Sequence, residues 1–141
     1  MSNTLEVTVK RIDDKVKYLG TANNNPPIQI DYPAPLGTGE GYTSLELLLI
    51  SLASCSASSI IAILKKRDNL ITDFNVKAKG ERKTQHPTCF SNIRLEFNLT
   101  SSNTTEEDLV KAIQFSESTL CPVWAMLKGN VVIEYSYKIN R

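Results

Sequence analysis

Histidine and tryptophan each occur once in these 141 residues and cysteine three times, and that scarcity narrows the available chemistry. A Cys/His hydrolase or a Cys/His zinc site would have to draw on His86 alone. One histidine with Cys55, Cys89 and Cys121 does not match the ligand spacing of zinc sites, and no structural zinc is expected. The odd count and wide spacing of the cysteines also exclude the dense, even-numbered framework of a small secreted domain. Excess charge of either sign is lacking. The net charge is +1, which leaves no footprint for nucleic acid, an anionic membrane or an acidic substrate. Met1 to Lys10 has no apolar segment of the signal-peptide kind, so a cytoplasmic location is expected, where thiols are held reduced. Gly37-Thr38-Gly39-Glu40-Gly41 lacks both the order of a dinucleotide fingerprint and the Lys-Ser/Thr of a phosphate loop. It reads as a flexible loop.

What is present is ordinary globular composition, 41% hydrophobic and 22% charged, in a chain long enough to bury a core without a staple. A single domain over 1–141 is expected. Leu5, Val7 and Val9 alternate, Val16 and Tyr18 begin a second run after Asp13-Asp14, and Ile28 and Ile30 a third. These read as three short strands, a meander. Thr43-Ser44-Leu45-Glu46 fits a capping box opening an apolar helix that runs to about Lys66 and stops at Asp68-Asn69. Phe74, Val76 and Ala78, then Ile93, Leu95, Phe97 and Leu99, predict two strands joined around Gln85-His86-Pro87. Thr104 and Glu107 suggest a second capping box, on a helix with a stripe of Leu109, Val110, Ile113 and Leu120. A short helix starts at Pro122 and stops at Gly129, and Val131 to Tyr137 alternates as a last strand. The order is βββ-α-ββ-α-α-β, an α+β pattern.

Leu47 to Leu64 carries no charged side chain, is about as long as a membrane span, and is followed by Lys65-Lys66-Arg67. It also contains five serines, Ser51, Ser54, Ser56, Ser58 and Ser59, which suit a helix buried on all sides of a soluble core. Cys55 lies in its middle, on the face that carries Leu48, Leu52 and Ser59. A buried cysteine there is either an inert small hydrophobe or a working thiol. The second role requires a nearby cation or hydrogen-bond donor, because apolar surroundings favour the neutral form. Cys121 precedes Pro122 and so falls at or beside a helix N-cap; it is either a thiol whose ionisation the free N–H groups ease or a residue that simply packs beneath the short helix. Cys89 has no distinguishing neighbours. Arg82, in Glu81-Arg82 at a strand end, is a permanent cation that would serve Cys55 if the fold brought them together.

Taken in order, several segments resemble the OsmC/Ohr family. They are Gly39-Glu40-Gly41-Tyr42-Thr43-Ser44-Leu45-Glu46-Leu47-Leu48-Leu49, then Ser54-Cys55-Ser56 and Ile63-Leu64-Lys65-Lys66-Arg67. Gly80-Glu81-Arg82, Pro87, Phe90 and Ile93 resemble the following strand pair, and Ala112-Ile113, Ser116 and Leu120-Cys121-Pro122-Val123, then Ala125-Met126-Leu127, the second-cysteine helices. The resemblance runs from Ile28 to the C-terminus and implies an intertwined α+β homodimer. Antiparallel sheets would wrap around long central helices, with active sites at the subunit interface. The Cys55 helix would then be a buried core helix rather than a membrane span. The family's activity implies a thiol-dependent peroxidase that reduces organic hydroperoxides. Cys55 would become a sulfenic acid, Cys121 would resolve it as a disulfide, and an external dithiol would restore both thiols, with no metal or bound organic cofactor needed.

Two departures accompany the resemblance. Where the family's peroxidases carry a catalytic Glu, ten residues before the cysteine, this sequence has Leu45, and Glu46 follows one position later. Their catalytic Arg has no counterpart between Asp13 and Tyr42. The sequence is closer to a less characterised branch with Gly-Glu-Arg in the later strand, in which Arg82 stands in for the missing cation. The readings left beside the peroxidase are a redox sensor or disulfide exchanger of the same fold, and a non-enzymatic dimer that binds small apolar ligands.

Overall fold

The computed structural model describes residues 3–141; Met1 and Ser2, the first residues of the segment read above as lacking a signal peptide, lie outside them. The chain divides into two compact units, 1–48 and 49–141.

The first unit carries a three-stranded meander, β1 (Thr8–Arg11), β2 (Tyr18–Thr21) and β3 (Ile28–Ile30), paired antiparallel in the order β1-β2-β3. Of the predicted Leu5, Val7 and Val9 face only Val9 lies in β1, and all three residues stand exposed. The Gly-containing loop is less free than its composition suggests. It wraps around Asp31, which is fully buried and accepts from the backbone N–H groups of Tyr32, Thr38 and Glu40 and from the Thr38 hydroxyl. A Cβ at Gly37 would collide with the Asp31 carboxylate and the Tyr32 carbonyl. Lys17 closes the arrangement on Glu40 at 2.5 Å.

The apolar helix is α1 (Ser44–Lys66). Its capping box forms as the sequence indicates, with the Thr43 N–H donating to Glu46 Oε1 at 2.8 Å and the Glu46 N–H to Thr43 Oγ1 at 3.3 Å. Asp68, in the left-handed region at φ 59°, ends it.

The second unit is built on β4 (Ile71–Arg82), β5 (Phe90–Ser101) and β6 (Val132–Asn140), with β5 in the centre. Ile93, Leu95, Phe97 and Leu99 alternate along β5 and are all buried. Phe97 stacks on Phe74 of β4 at 6.0 Å and meets Tyr135 of β6 edge-on at 6.3 Å. The buried stripe of α1, Leu52, Ser56, Ile60 and Leu64, recurs every four residues and belongs to the same core, as do Leu109, Ala112, Ile113 and Trp124.

Three expectations need correction. The sheets are not antiparallel throughout: β4 pairs antiparallel with β5, but β6 runs parallel to it. A parallel return needs a long crossover, and the helices between Ser101 and Val132 supply it. The second helix, α2 (Glu106–Phe115), is capped by Thr105, whose hydroxyl accepts from the Asp108 N–H, not by Thr104 with Glu107. Thr104 is fully buried instead, its hydroxyl 2.8 Å from that of Ser101 and its carbonyl accepting from Arg141. Finally, Leu120 does not continue the α2 stripe. A π-helical turn (Ser116–Leu120) follows α2, rotates the register and leaves Leu120 exposed before α3 (Pro122–Leu127).

Candidate active site

Cys55 lies mid-way along α1 and is half-buried. Cys121 is buried, 2% exposed, between the π-helical turn and α3. Its backbone is extended, at φ −85° and ψ 105°, because the π-helical turn has ended and Pro122 opens the next helix. The Cys121 N–H donates to the Ser116 carbonyl at 2.9 Å. Its Sγ accepts from the Trp124 N–H at 3.4 Å, as an N-cap side chain does.

The fold makes the two thiols neighbours, close enough for Cys55 to act on the ionisation of Cys121. Cys121 is not the easy thiolate that its N-cap position suggests. Burial pushes its thiol from 9.0 up to about 11, and Cys55 beside it adds in the same direction through its hydrogen bond and charge. The N–H groups of Trp124 and Val123 pull the other way and are outweighed. Both sequence readings hold: Cys121 caps α3 and is also packed beneath it, and the burial outweighs the cap. At neutral pH Cys121 therefore holds its proton and is placed to donate it toward Cys55.

A second contact joins the same two segments. Ser59, one helical turn beyond Cys55, lies with its Oγ 2.6 Å from the Oγ of Ser116, which is fully buried at the start of the π-helical turn. Ser116 is among the positions that carry the family resemblance, but sequence reasoning gave neither serine a role. The signal available was that Ser59 shares a helix face with Cys55; what it meets across the fold is not encoded locally.

The other candidates are engaged elsewhere. Glu46 closes the α1 capping box, and at nine residues and about 100° per residue it points to the opposite side of the helix from Cys55. Arg82, exposed at the end of β4, donates from Nε to the Thr88 carbonyl at 2.8 Å and from Nη2 to the Thr88 hydroxyl. Among the described residues it makes no hydrogen bond or ion pair with either cysteine. Cys89 is exposed in the β4–β5 connection, close to His86 in sequence. Among the described residues, no group of three or more His, Cys, Asp or Glu is placed to hold a metal.

Beyond the thiol pair, along the C-terminal half of α1, an open groove of about 570 Å³ runs between Ala62 and Ile63 on one side and Phe115 and Leu120 on the other, with Lys66 and Lys111 at its rim.

Comparison with known proteins gives a consistent result. A family model described as OsmC-like protein matches residues 37–136, which include both cysteines. Protein YhfA of Escherichia coli K12 is 30% identical over 95 residues, covering 67% of this chain and 71% of that one. Among solved structures, the OsmC-like protein from Mycoplasma pneumoniae superposes with a TM-score of 0.85 at 20% identity, over the whole of both chains. The organic hydroperoxide resistance protein OhrB of Bacillus subtilis superposes with a TM-score of 0.67 at 17% identity, over 96% of this chain and 98% of that one. At those identities the two superpositions establish a shared fold.

Proposed function

Since the chain belongs to the OsmC-like protein family, we propose that it is a thiol-dependent peroxidase that reduces organic hydroperoxides with Cys55 and Cys121. The observation that carries the reading is the pairing of a half-exposed thiol with a buried, protonated one inside a single chain. The exposed thiol is the one a substrate can reach, so Cys55 is the nucleophile. Its thiolate attacks the terminal peroxide oxygen, the O–O bond breaks, and the alkoxide leaves as the alcohol by taking a proton from solvent. Cys55 is then a sulfenic acid. Cys121 attacks that sulfur, the S–O bond breaks, and the Cys121 proton leaves with the hydroxyl group as water. An external dithiol reduces the resulting disulfide by exchange.

Apolar walls favour a hydrocarbon-bearing peroxide over hydrogen peroxide, by about 0.8 kcal/mol for each methylene buried. In this reading all 141 residues act as one OsmC-like domain in a cytoplasmic homodimer. Arg82, held by Thr88 within its own chain, and Glu46, held by Thr43, would reach a reacting centre only across the subunit interface.

The test is rapid mixing with cumene hydroperoxide. Cys55→Ser should abolish peroxide consumption, a loss of at least about 100-fold, comparable to removal of a nucleophile. Cys121→Ser should retain the first turnover and then stall as a sulfenic acid, and Cys89→Ser should match the wild type. Peroxide consumption that survives in Cys55→Ser would refute the proposal.

A second reading, a dithiol–disulfide exchanger of the same fold, is favoured by one observation: within the chain, neither Arg82 nor Glu46 is free to assist peroxide cleavage. It predicts fast reaction with dithiols and disulfides and negligible peroxide turnover in the same assay.

A further inference from the structure

Beyond the two cysteines, we infer that the Ser59–Ser116 hydroxyl pair is a positioning device that fixes Cys121 against Cys55 and so sets how readily their disulfide forms. The inference rests on the thiol pair of the proposed function, though not on the identity of the oxidant.

The hydrogen bonds form one directed chain. The Ser59 hydroxyl donates to the Ser56 carbonyl at 3.0 Å, in the turn of α1 that follows Cys55. With that proton engaged, Ser59 Oγ accepts at 2.6 Å, and the Ser116 hydroxyl is the donor. The Ser116 carbonyl in turn accepts the Cys121 N–H at 2.9 Å. That last bond spans five residues and is the one that makes the turn π-helical. Four residues link Ser116 to Cys121 in a single tight ring, and Cys55 and Ser59 stand one turn apart on one face of α1. The chain therefore ties the backbone of one cysteine to the helix that carries the other.

A buried hydroxyl that merely satisfied itself would have no need of α1. Ser116 already follows α2, where back-bonding to a carbonyl of the preceding turn is open to any serine. Its hydroxyl instead crosses to a different element, beside the thiol contact. Disulfide formation is sensitive to such placement, since Cα atoms must lie within roughly 4.4–6.8 Å. Holding two reacting groups in place raises their effective concentration by orders of magnitude. In the step concerned, Cys55–SOH and Cys121–SH lose water to give the S–S bond, and a loose Cys121 slows that step without touching the preceding attack on peroxide.

The experiment needs no peroxide. The full-length protein is equilibrated with mixtures of oxidised and reduced glutathione; one oxidised glutathione takes two electrons from the Cys55 and Cys121 thiols and leaves as two reduced molecules. The disulfide fraction is read by mass spectrometry after quenching. Ser59→Ala should lower the exchange equilibrium constant about tenfold, which for a two-electron couple is about 30 mV. Ser59→Thr, which keeps the hydroxyl, should stay within about twofold of the wild type. Alkylation of Cys55 by iodoacetamide should be unchanged in both, within about twofold. Ser116→Ala gives the same readout from the other side of the contact should Ser59→Ala fail to fold.

An unchanged constant in Ser59→Ala overturns the inference. So does an equal fall in Ser59→Thr, a parallel loss of Cys55 alkylation, or a wild-type chain that forms no Cys55–Cys121 disulfide at any glutathione ratio. A wild type that ignores hydroperoxide but shows the predicted equilibria would refute the peroxidase reading and leave the positioning role standing.

Discussion

Asp31 illustrates how a single residue can hold a segment that reads as formless. Burial alone would raise its pKa, yet the hydrogen bonds from Glu40, Thr38 and Tyr32 override that and lower it from 3.8 to about 2. A carboxyl group with a depressed folded-state value contributes stability that is fully present above about pH 3.8 and is lost as pH falls through about 2. Urea unfolding measured from pH 5 to pH 2 should show that loss, and Asp31→Asn should flatten the slope across the window while lowering stability at neutral pH. An identical slope in Asp31→Asn would remove Asp31 from the acid transition. None of this was legible in Pro33 to Gly41, because three of the four donors to Asp31 are backbone N–H groups that any residue carries. The cysteines behaved differently. The Cys121 N-cap and the placement of Cys55 on α1 follow from local spacing and were legible. Their proximity depends on how α1 meets the π-helical turn, which local spacing does not report.

At the scale of elements, reliability followed the kind of signal. The α1 capping box was readable because both halves of it, Thr43 and Glu46, are local and reciprocal. The same logic misplaced the start of α2 by one residue, because Thr104 and Thr105 offer identical hydroxyls and tertiary contact decides between them. Thr104 turns inward to Ser101 and Arg141, leaving Thr105 to cap. Thr105→Ala should therefore cost about 1 kcal/mol, the usual worth of a lost N-cap, read as a lower denaturant midpoint with an unchanged slope. A change under about 0.3 kcal/mol would show the cap to be dispensable. The direction of β6 was illegible for another reason. Alternation at period two marks a strand and its buried face but says nothing of which way it runs beside its neighbour. The π-helical turn was hidden as well, since one extra residue in a helical register leaves no compositional mark. It is nevertheless what carries Leu120 out of the α2 stripe and delivers Cys121 to Cys55.

For the whole molecule the open quantity is what covers α1. Its length and composition would suit a membrane span, and only 22% of its most apolar 18-residue window is buried within the chain. In water a surface of that kind requires a partner, because exposed contiguous apolar patches of several hundred Å² mark interaction sites. The serines along the helix permit close approach, and membership of the OsmC-like family supports a second copy as that partner. The proposed homodimer makes a concrete demand on Ile50, which stands 48% exposed on α1. A carboxylate there would be buried without a counter-charge at the interface, a cost of several kcal/mol, whereas on the surface of a monomer it would cost almost nothing. Sedimentation equilibrium should give twice the chain mass for the wild type. Ile50→Glu should give a single chain, or a dissociation constant raised by at least about 100-fold, with the helical signal in circular dichroism retained. A variant that stays dimeric with unchanged affinity would place the interface elsewhere. A wild type that needs detergent to stay in solution would return α1 to the membrane reading, and with it the meaning of the exposed half of Cys55.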